Sequence, residues 1–161
     1  MWSVTSGIER FYDPPMQNAS PPRATGRCLC GAVTYEVRGP LRDVFLCHCD
    51  ECRRWSGYVG AFTSTLTEHL VLRGAGALRW IDSPASDRHA RRAFCTECGS
   101  NLFWQPAPGR RTNIAVGTLD RPTGLRIAGH WYTRHAGDYD ELPADGLPRD
   151  DELESAEIRW S

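Results

Sequence analysis

Seven cysteines in three tight groups carry the chemistry this sequence can offer: Cys28 and Cys30, then Cys47, Cys49 and Cys52, then Cys95 and Cys98. The grouping allows a division into four plus three. Zinc sites divide the same way, since closed structural sites take four protein ligands and catalytic sites take three with one position open. Cys95-Thr96-Glu97-Cys98-Gly99 has the form of a zinc knuckle. Its two intervening residues let both sulfurs turn to one side, and the glycine relieves the turn after the second thiolate. Cys28-Leu29-Cys30-Gly31 is one residue tighter but also ends in glycine. The two pairs together supply four thiolates from distant parts of the chain. One closed zinc site on them would staple the first strand to a later hairpin and stabilise folding directly.

Cys47-His48-Cys49-Asp50-Glu51-Cys52-Arg53-Arg54 is the stretch where catalysis is expected. Three thiolates on one Zn²⁺ carry a net charge of about -1 and leave a position for water, a substrate sulfur or a substrate oxygen. Such a centre polarises a carbonyl or hydroxyl oxygen and lowers the pKa of a bound water or thiol. Other readings stay open at this point. His48 could close the site, although a residue between two ligands has difficulty folding back to the same ion. His69, His89, His130 or His135 could be the fourth ligand, or the cluster could be metal-free with one reactive thiol. Arg53 and Arg54 are candidates to hold an anionic substrate, because a guanidinium pairs with a carboxylate in a fork. Their alternative is solvated surface charge. Trp55, Phe103, Trp104 and Trp131 could wall a pocket, though aromatics in a β domain are more often core.

The whole chain bounds these readings. Its 161 residues suit one domain, with a hydrophobic fraction of 40% and 24% charged residues. A formal net charge of -1 gives no global field for nucleic acid or an anionic membrane. No apolar run approaches a membrane span and Met1 to Arg10 lacks signal-peptide order, so a soluble, cytoplasmic protein is expected. A reducing compartment and an odd cysteine count argue for metal ligation over disulfides. Cysteines one residue apart also make poor disulfide partners, with Cα atoms about 7 Å apart in extended chain.

The elements that must position the thiols read as short strands. Residues 1–24, with Asp13-Pro14-Pro15 and Ser20-Pro21-Pro22, form a Pro-rich irregular arm. The pattern changes at Thr25. Strands are expected at 32–37, 44–46, 58–66, 69–73, 77–82, 89–94, 100–105, 112–116 and 125–133, with a turn of helix over 51–56 stopped by Gly57. Turn signals every eight to twelve residues or so predict an all-β or β-dominated domain over 25–150. The acidic end, Asp138 to Glu157, is expected to be irregular and wrapped on the surface, with 151–161 as a tail.

Three segments also resemble a known family. They are Gly26-Arg27-Cys28-Leu29-Cys30-Gly31-Ala32-Val33, Cys47-His48-Cys49-Asp50-Glu51-Cys52-Arg53-Arg54-Trp55-Ser56-Gly57, and Phe94-Cys95-Thr96-Glu97-Cys98-Gly99-Ser100-Asn101-Leu102-Phe103-Trp104. They are similar to the glutathione-dependent formaldehyde-activating enzymes, also called the CENP-V/GFA domain. Gly117-Thr118-Leu119-Asp120 and His130-Trp131 look like later segments of it. The resemblance implies a β-tent fold of packed, twisted antiparallel sheets with two zinc ions. Cys28, Cys30, Cys95 and Cys98 would hold the structural one, and Cys47, Cys49 and Cys52 the catalytic one. It implies a carbon–sulfur lyase that condenses glutathione with formaldehyde reversibly to S-hydroxymethylglutathione. Its partner would be a small thiol or thiol adduct, not nucleic acid or membrane. The competing expectation is a non-catalytic zinc-binding interaction module of the same fold. The Pro-rich arm has no counterpart in the family.

Overall fold

The computed structural model of the chain describes residues 21–84, 89–150 and 159–161. Most of the N-terminal arm and of the C-terminal tail therefore lies outside the described residues. Two sheets make up the domain. The smaller contains β1 (Ala24–Arg27), β2 (Thr34–Val37) and β5 (Leu70–Arg73), in the order β1-β2-β5 and antiparallel throughout. The larger has seven strands in the order β10-β3-β4-β9-β8-β7-β6. These are β3 (Val44–Cys47), β4 (Gly60–Leu66), β6 (Leu78–Asp82), β7 (Arg91–Cys95), β8 (Asn101–Gln105), β9 (Arg111–Ala115) and β10 (Ile127–Trp131).

Alternation explains the smaller sheet. Tyr35 and Val37 of β2 are buried, while Thr34 and Glu36 face outward, where Glu36 pairs with Arg38 and Arg73. The inward residues meet Ala93, Leu102, Phe103 and Ile114 of the larger sheet in one core. Tyr35 sets its ring edge-on to Phe103 at 5.2 Å and shares a 2.6 Å hydrogen bond with Thr118. Burying a ring of this size contributes on the order of 2 kcal/mol, and the hydroxyl keeps its partner. The strands β8 and β9 are buried on both faces, as expected for strands in the middle of a sheet covered on each side.

Two features depart from the expected pattern. The first is β1, whose sequence Ala-Thr-Gly-Arg has almost no strand signal. It is held by pairing with β2 and by a bridge between Gly26 and Leu119. The second is β10, which runs parallel to β3 in an otherwise antiparallel sheet. A parallel neighbour needs a crossover, and here the whole run from β4 to β9 provides it. This register sets Trp131 beside Cys47 and lets the His48 N–H donate to the Trp131 carbonyl at 2.9 Å. The one α-helix among the described residues, α1 (Asp50–Ser56), is longer by one residue than the expected turn and ends at Gly57 in the left-handed conformation.

Residues 136–150 are irregular but well tied down. The last residues also return to the domain: Ser161 exchanges both backbone hydrogen bonds with Leu41, and Arg159 reaches the buried carboxylate of Asp43. No helix among the described residues is long and apolar enough to cross a membrane.

Candidate metal centres

Two hairpin turns build the first centre. The turn between β1 and β2 carries Cys28 and Cys30, and the turn between β7 and β8 carries Cys95 and Cys98. Each is closed by a glycine whose N–H returns to the first cysteine's carbonyl: Gly31 to Cys28 at 3.1 Å and Gly99 to Cys95 at 2.9 Å. Both glycines have positive φ, 79° and 72°, which an L side chain rarely adopts. The four sulfurs lie within 4.8 Å of one another, with Cys28 to Cys30 at 3.5 Å and Cys30 to Cys95 at 3.8 Å. A tetrahedron of sulfurs around zinc has edges of about 3.8 Å, whereas a disulfide is near 2.05 Å. The set therefore fits a four-thiolate metal. The Ser100 hydroxyl, with nearby backbone N–H groups, holds the Cys98 thiol down at about 5.

One continuous segment builds the second centre. Strand β3 ends at Cys47, and Cys49 is the N-cap of α1, its sulfur accepting the Cys52 N–H at 3.4 Å. The helix then turns Cys52 back towards the other two. All three sulfurs lie within 4.8 Å of one another, with Cys47 to Cys49 at 3.5 Å. Hydrogen bonds from the Cys47 and Cys52 thiols bring the Cys49 thiol down to about 2, helped by the Cys52 N–H and the charge of Arg92. Cys47, donating to Cys49 and buried, is pushed up. These three sulfurs also fit a thiolate-bound metal. Close approach of α1 to β4 depends on Gly60, where an added Cβ would stand 3.0 Å from the Cys52 Cβ and 2.6 Å from the Phe62 ring.

The histidines weighed as a fourth ligand are placed elsewhere. Among the described residues, no His, Asp or Glu joins the three sulfurs. His48 and His130, both almost fully buried, form a chain of hydrogen bonds with two carboxylates. His48 Nδ1 lies 3.2 Å from Asp140 Oδ2, His48 Nε2 3.1 Å from His130 Nδ1, and His130 Nε2 3.0 Å from Asp145 Oδ2. Tyr58 also donates to Asp140, at 2.6 Å. Burial pushes the His48 imidazole below its ordinary value despite the opposing pull of Asp140. His69 approaches Glu68, and His135 stacks edge-on with Tyr132.

Arg53 bonds Asp50 at 2.5 Å, three residues back on the same helix, and Arg54 is exposed. An open cleft of about 480 Å³ adjoins the centre, sharing Phe62 and Ala115 with the packing around Cys47 and Cys52. Trp55, Ser56, Asn101 and Thr118 also line it, and neither Arg53 nor Arg54 does. Of the other aromatics considered for a wall, Phe103 is core, Trp104 packs against the cluster of Cys47, Cys52, Phe62 and Ala115, and Trp131 stacks on Phe45 at 4.4 Å.

The cation that does reach a sulfur is Arg92 of β7, a residue that sequence reasoning missed. Its Nη2 lies 3.8 Å from Cys52 Sγ and 3.4 Å from Glu51 Oε2, and its Nε donates to Ser83 Oγ at 2.8 Å. Ser83 in turn donates to Glu51 at 3.0 Å. The guanidinium also stands 5.8 Å over the Trp55 ring. The local signal was an arginine inside an apolar strand, Arg92-Ala93-Phe94-Cys95, buried on the face opposite Ala93 and Cys95.

The domain is thus a strand-dominated β protein with one four-thiol and one three-thiol cluster, each of which could hold a metal ion. The family model described as "Glutathione-dependent formaldehyde-activating enzyme" matches residues 23–135, and the chain belongs to that family. Among curated proteins it is similar to an uncharacterized lyase of Schizosaccharomyces pombe (strain 972), 27% identical over 89 residues. That match covers 55% of this chain and 62% of the relative's length. Among solved structures it is similar to a Rhodobacter sphaeroides protein, with TM-score 0.50 and 28% identity, covering 60% of this chain and 88% of the other.

Proposed function

We propose that this protein is a zinc-dependent carbon–sulfur lyase acting on a thiol–aldehyde adduct, in the manner of S-hydroxymethylglutathione formation and cleavage. One observation carries the reading: three sulfurs and no fourth protein ligand, among the described residues, beside an open cleft. Family membership and the lyase name of the yeast relative support it. Cys47, Cys49 and Cys52 would hold the zinc, which supplies polarisation of an aldehyde oxygen or a lowered pKa for a thiol.

The chain's own residues account for the rest. Trp55 and Phe62 give the cleft apolar walls, which displace water from the reacting atoms. Ser56, Ser100 and Asn101 offer hydroxyl and amide groups to orient the hydroxymethyl oxygen of an adduct. In the forward direction the thiol loses its proton, its sulfur bonds the carbonyl carbon, and the carbonyl oxygen takes up a proton. Cleavage reverses each of these changes. The four-thiolate centre fixes the turn that carries Ser100 and so shapes one wall of the cleft.

The test is Cys49→Ser. The purified variant should retain one zinc where the parent holds two. Exchange of formaldehyde with its glutathione adduct, followed by NMR, should fall to the uncatalysed rate. Exchange that persists at the parental rate after loss of the second zinc would sink the mechanism.

A further inference from the structure

Among the described residues, a charged side chain from outside the segment, Arg92, is hydrogen-bonded to the three-thiol centre. Its surroundings are built, not incidental. The guanidinium is buried, it lies on β7, and three partners from two segments fix it: Ser83 just after β6, and Glu51 and the sulfur of Cys52 on α1. Trp55 covers its face. A charged donor held against a thiolate withdraws electron density from the sulfur and stabilises its ionised form. Glu51 offsets part of that charge, but it is less buried than Arg92 and more of its field is screened by solvent.

We propose that Arg92 is a positioning residue that makes Cys52 unlike Cys47 and Cys49. Its hydrogen bond keeps Cys52 a ligand and suppresses it as a nucleophile. The distinction matters for the reaction proposed above, on which this inference rests. The substrate thiol must attack the aldehyde carbon, and a cysteine of the centre that did the same would be consumed by the substrate. A sulfur whose lone pair is engaged by a guanidinium is a poorer attacker. The Ser83–Glu51–Arg92 ring keeps that guanidinium in place when the neighbouring cleft is filled.

The experiment uses the full chain loaded with Co²⁺, with Cys49→Ser protein as the reference that holds only the four-thiol centre. Two readouts are taken: the sulfur-to-cobalt absorption of the three-thiol centre, and the rate at which iodoacetamide alkylates Cys52, mapped by mass spectrometry. Alkylation forms a sulfur–carbon bond at Cys52 and expels iodide. In Arg92→Met the absorption should shift and Cys52 alkylation should rise by about tenfold, the loss of one charge-assisted hydrogen bond. Cys28, Cys30, Cys95 and Cys98 should keep their parental rates. Glu51→Gln leaves the guanidinium more available to the sulfur and should slow alkylation of Cys52.

Arg92→Lys retains a buried cation and serves if the methionine variant does not fold. A lysine cannot span Ser83, Glu51 and the sulfur together, so a rise of a few-fold is expected. Unchanged absorption, with a Cys52 rate within twofold of the parent in a variant that holds two cobalt ions, overturns the proposal. A parent protein that takes up only one cobalt overturns the metal reading of the three-thiol centre, and this inference with it. The cobalt count tells the two failures apart.

Discussion

The two cysteine centres use the same ligand atom and differ in everything around it. The four-thiol centre joins two hairpin turns 65 residues apart, and its sulfurs are served by local groups, such as the Val33 N–H on Cys28 and the Ser100 hydroxyl beside Cys98. The three-thiol centre lies within six residues of one strand–helix corner, yet its surroundings come from far along the chain. Arg92 arrives from 40 residues away and Asp140 supports His48 from 92 residues away. A centre that only fastens the fold needs ligands and turns. Under the proposed function a reacting centre also needs a cleft, a controlled charge and a rigid backing; here α1, β4 and the start of β8 line the cleft, β7 brings the charge, and β10 with the irregular segment 136–150 gives the backing.

This contrast predicts unequal consequences when each centre is broken. Removing a ligand from the fastening centre should have the largest effect on stability. Cys95→Ser frees the β7–β8 turn from the β1–β2 turn, and binding energy of a structural zinc is folding energy. We expect a loss of at least about 4 kcal/mol, which for a chain of this length lowers the melting temperature by roughly 8–16 °C. Thermal unfolding of Cys95→Ser beside Cys49→Ser checks it. A smaller drop in Cys95→Ser than in Cys49→Ser would reverse the assignment of structural and reactive centres.

The backing of the three-thiol centre comes next in size. His130→Ala removes the middle of the chain from Asp140 to Asp145 and leaves the inner nitrogen of His48 without its partner. Loss of a buried ring and a stranded polar group costs about 2–4 kcal/mol. Because His48 stands between Cys47 and Cys49, the loop should also loosen. Zinc affinity at the three-thiol centre should fall by about tenfold, the scale seen when groups that orient ligands are removed. Chelator competition should show the four-thiol centre unmoved. Equal weakening of both centres would mean that the His–Asp chain supports the fold in general and not this loop.

The sequence disclosed the two cysteine clusters and concealed their supports for one physical reason. Turn chemistry and ligand spacing are local, so Cys28-Leu29-Cys30-Gly31 and Cys95-Thr96-Glu97-Cys98-Gly99 state their geometry within a few residues. The strand pattern was also legible, with β6, β8 and β9 each falling within one residue of the expected limits. Strand β1 was not, because Ala24–Arg27 is a strand only by virtue of its neighbours. The parallel placement of β10 on β3 is a matter of topology that no local pattern records. It is this placement that brings His130 to His48. Asp140 and Asp145 sat in a stretch expected to be irregular surface, and irregular backbone gives no period from which to read an inward-facing carboxylate. Arg92 looked like one more arginine among many.

The smallest effects are expected at the residues that adjacency alone made attractive. Arg53 and Arg54 follow Cys52 directly, but a helix carries successive residues about 100° apart around its axis, so neighbours of a ligand in sequence need not share its face. Arg53 is engaged with Asp50 at a partly exposed position, a pair worth roughly 0.3–0.5 kcal/mol, and Arg54 is in solvent. Arg54→Ala should therefore change stability by no more than about 0.5 kcal/mol and leave both metal centres filled. It should alter KM for a glutathione adduct by less than about twofold, since an exposed charge is screened by water and salt. A tenfold rise in KM would show that the thiol's carboxylates extend past the helix to this surface. The reacting centre would then reach beyond the cleft bounded by Trp55, Phe62 and Asn101, and charge recognition would lie on α1 instead of inside the fold.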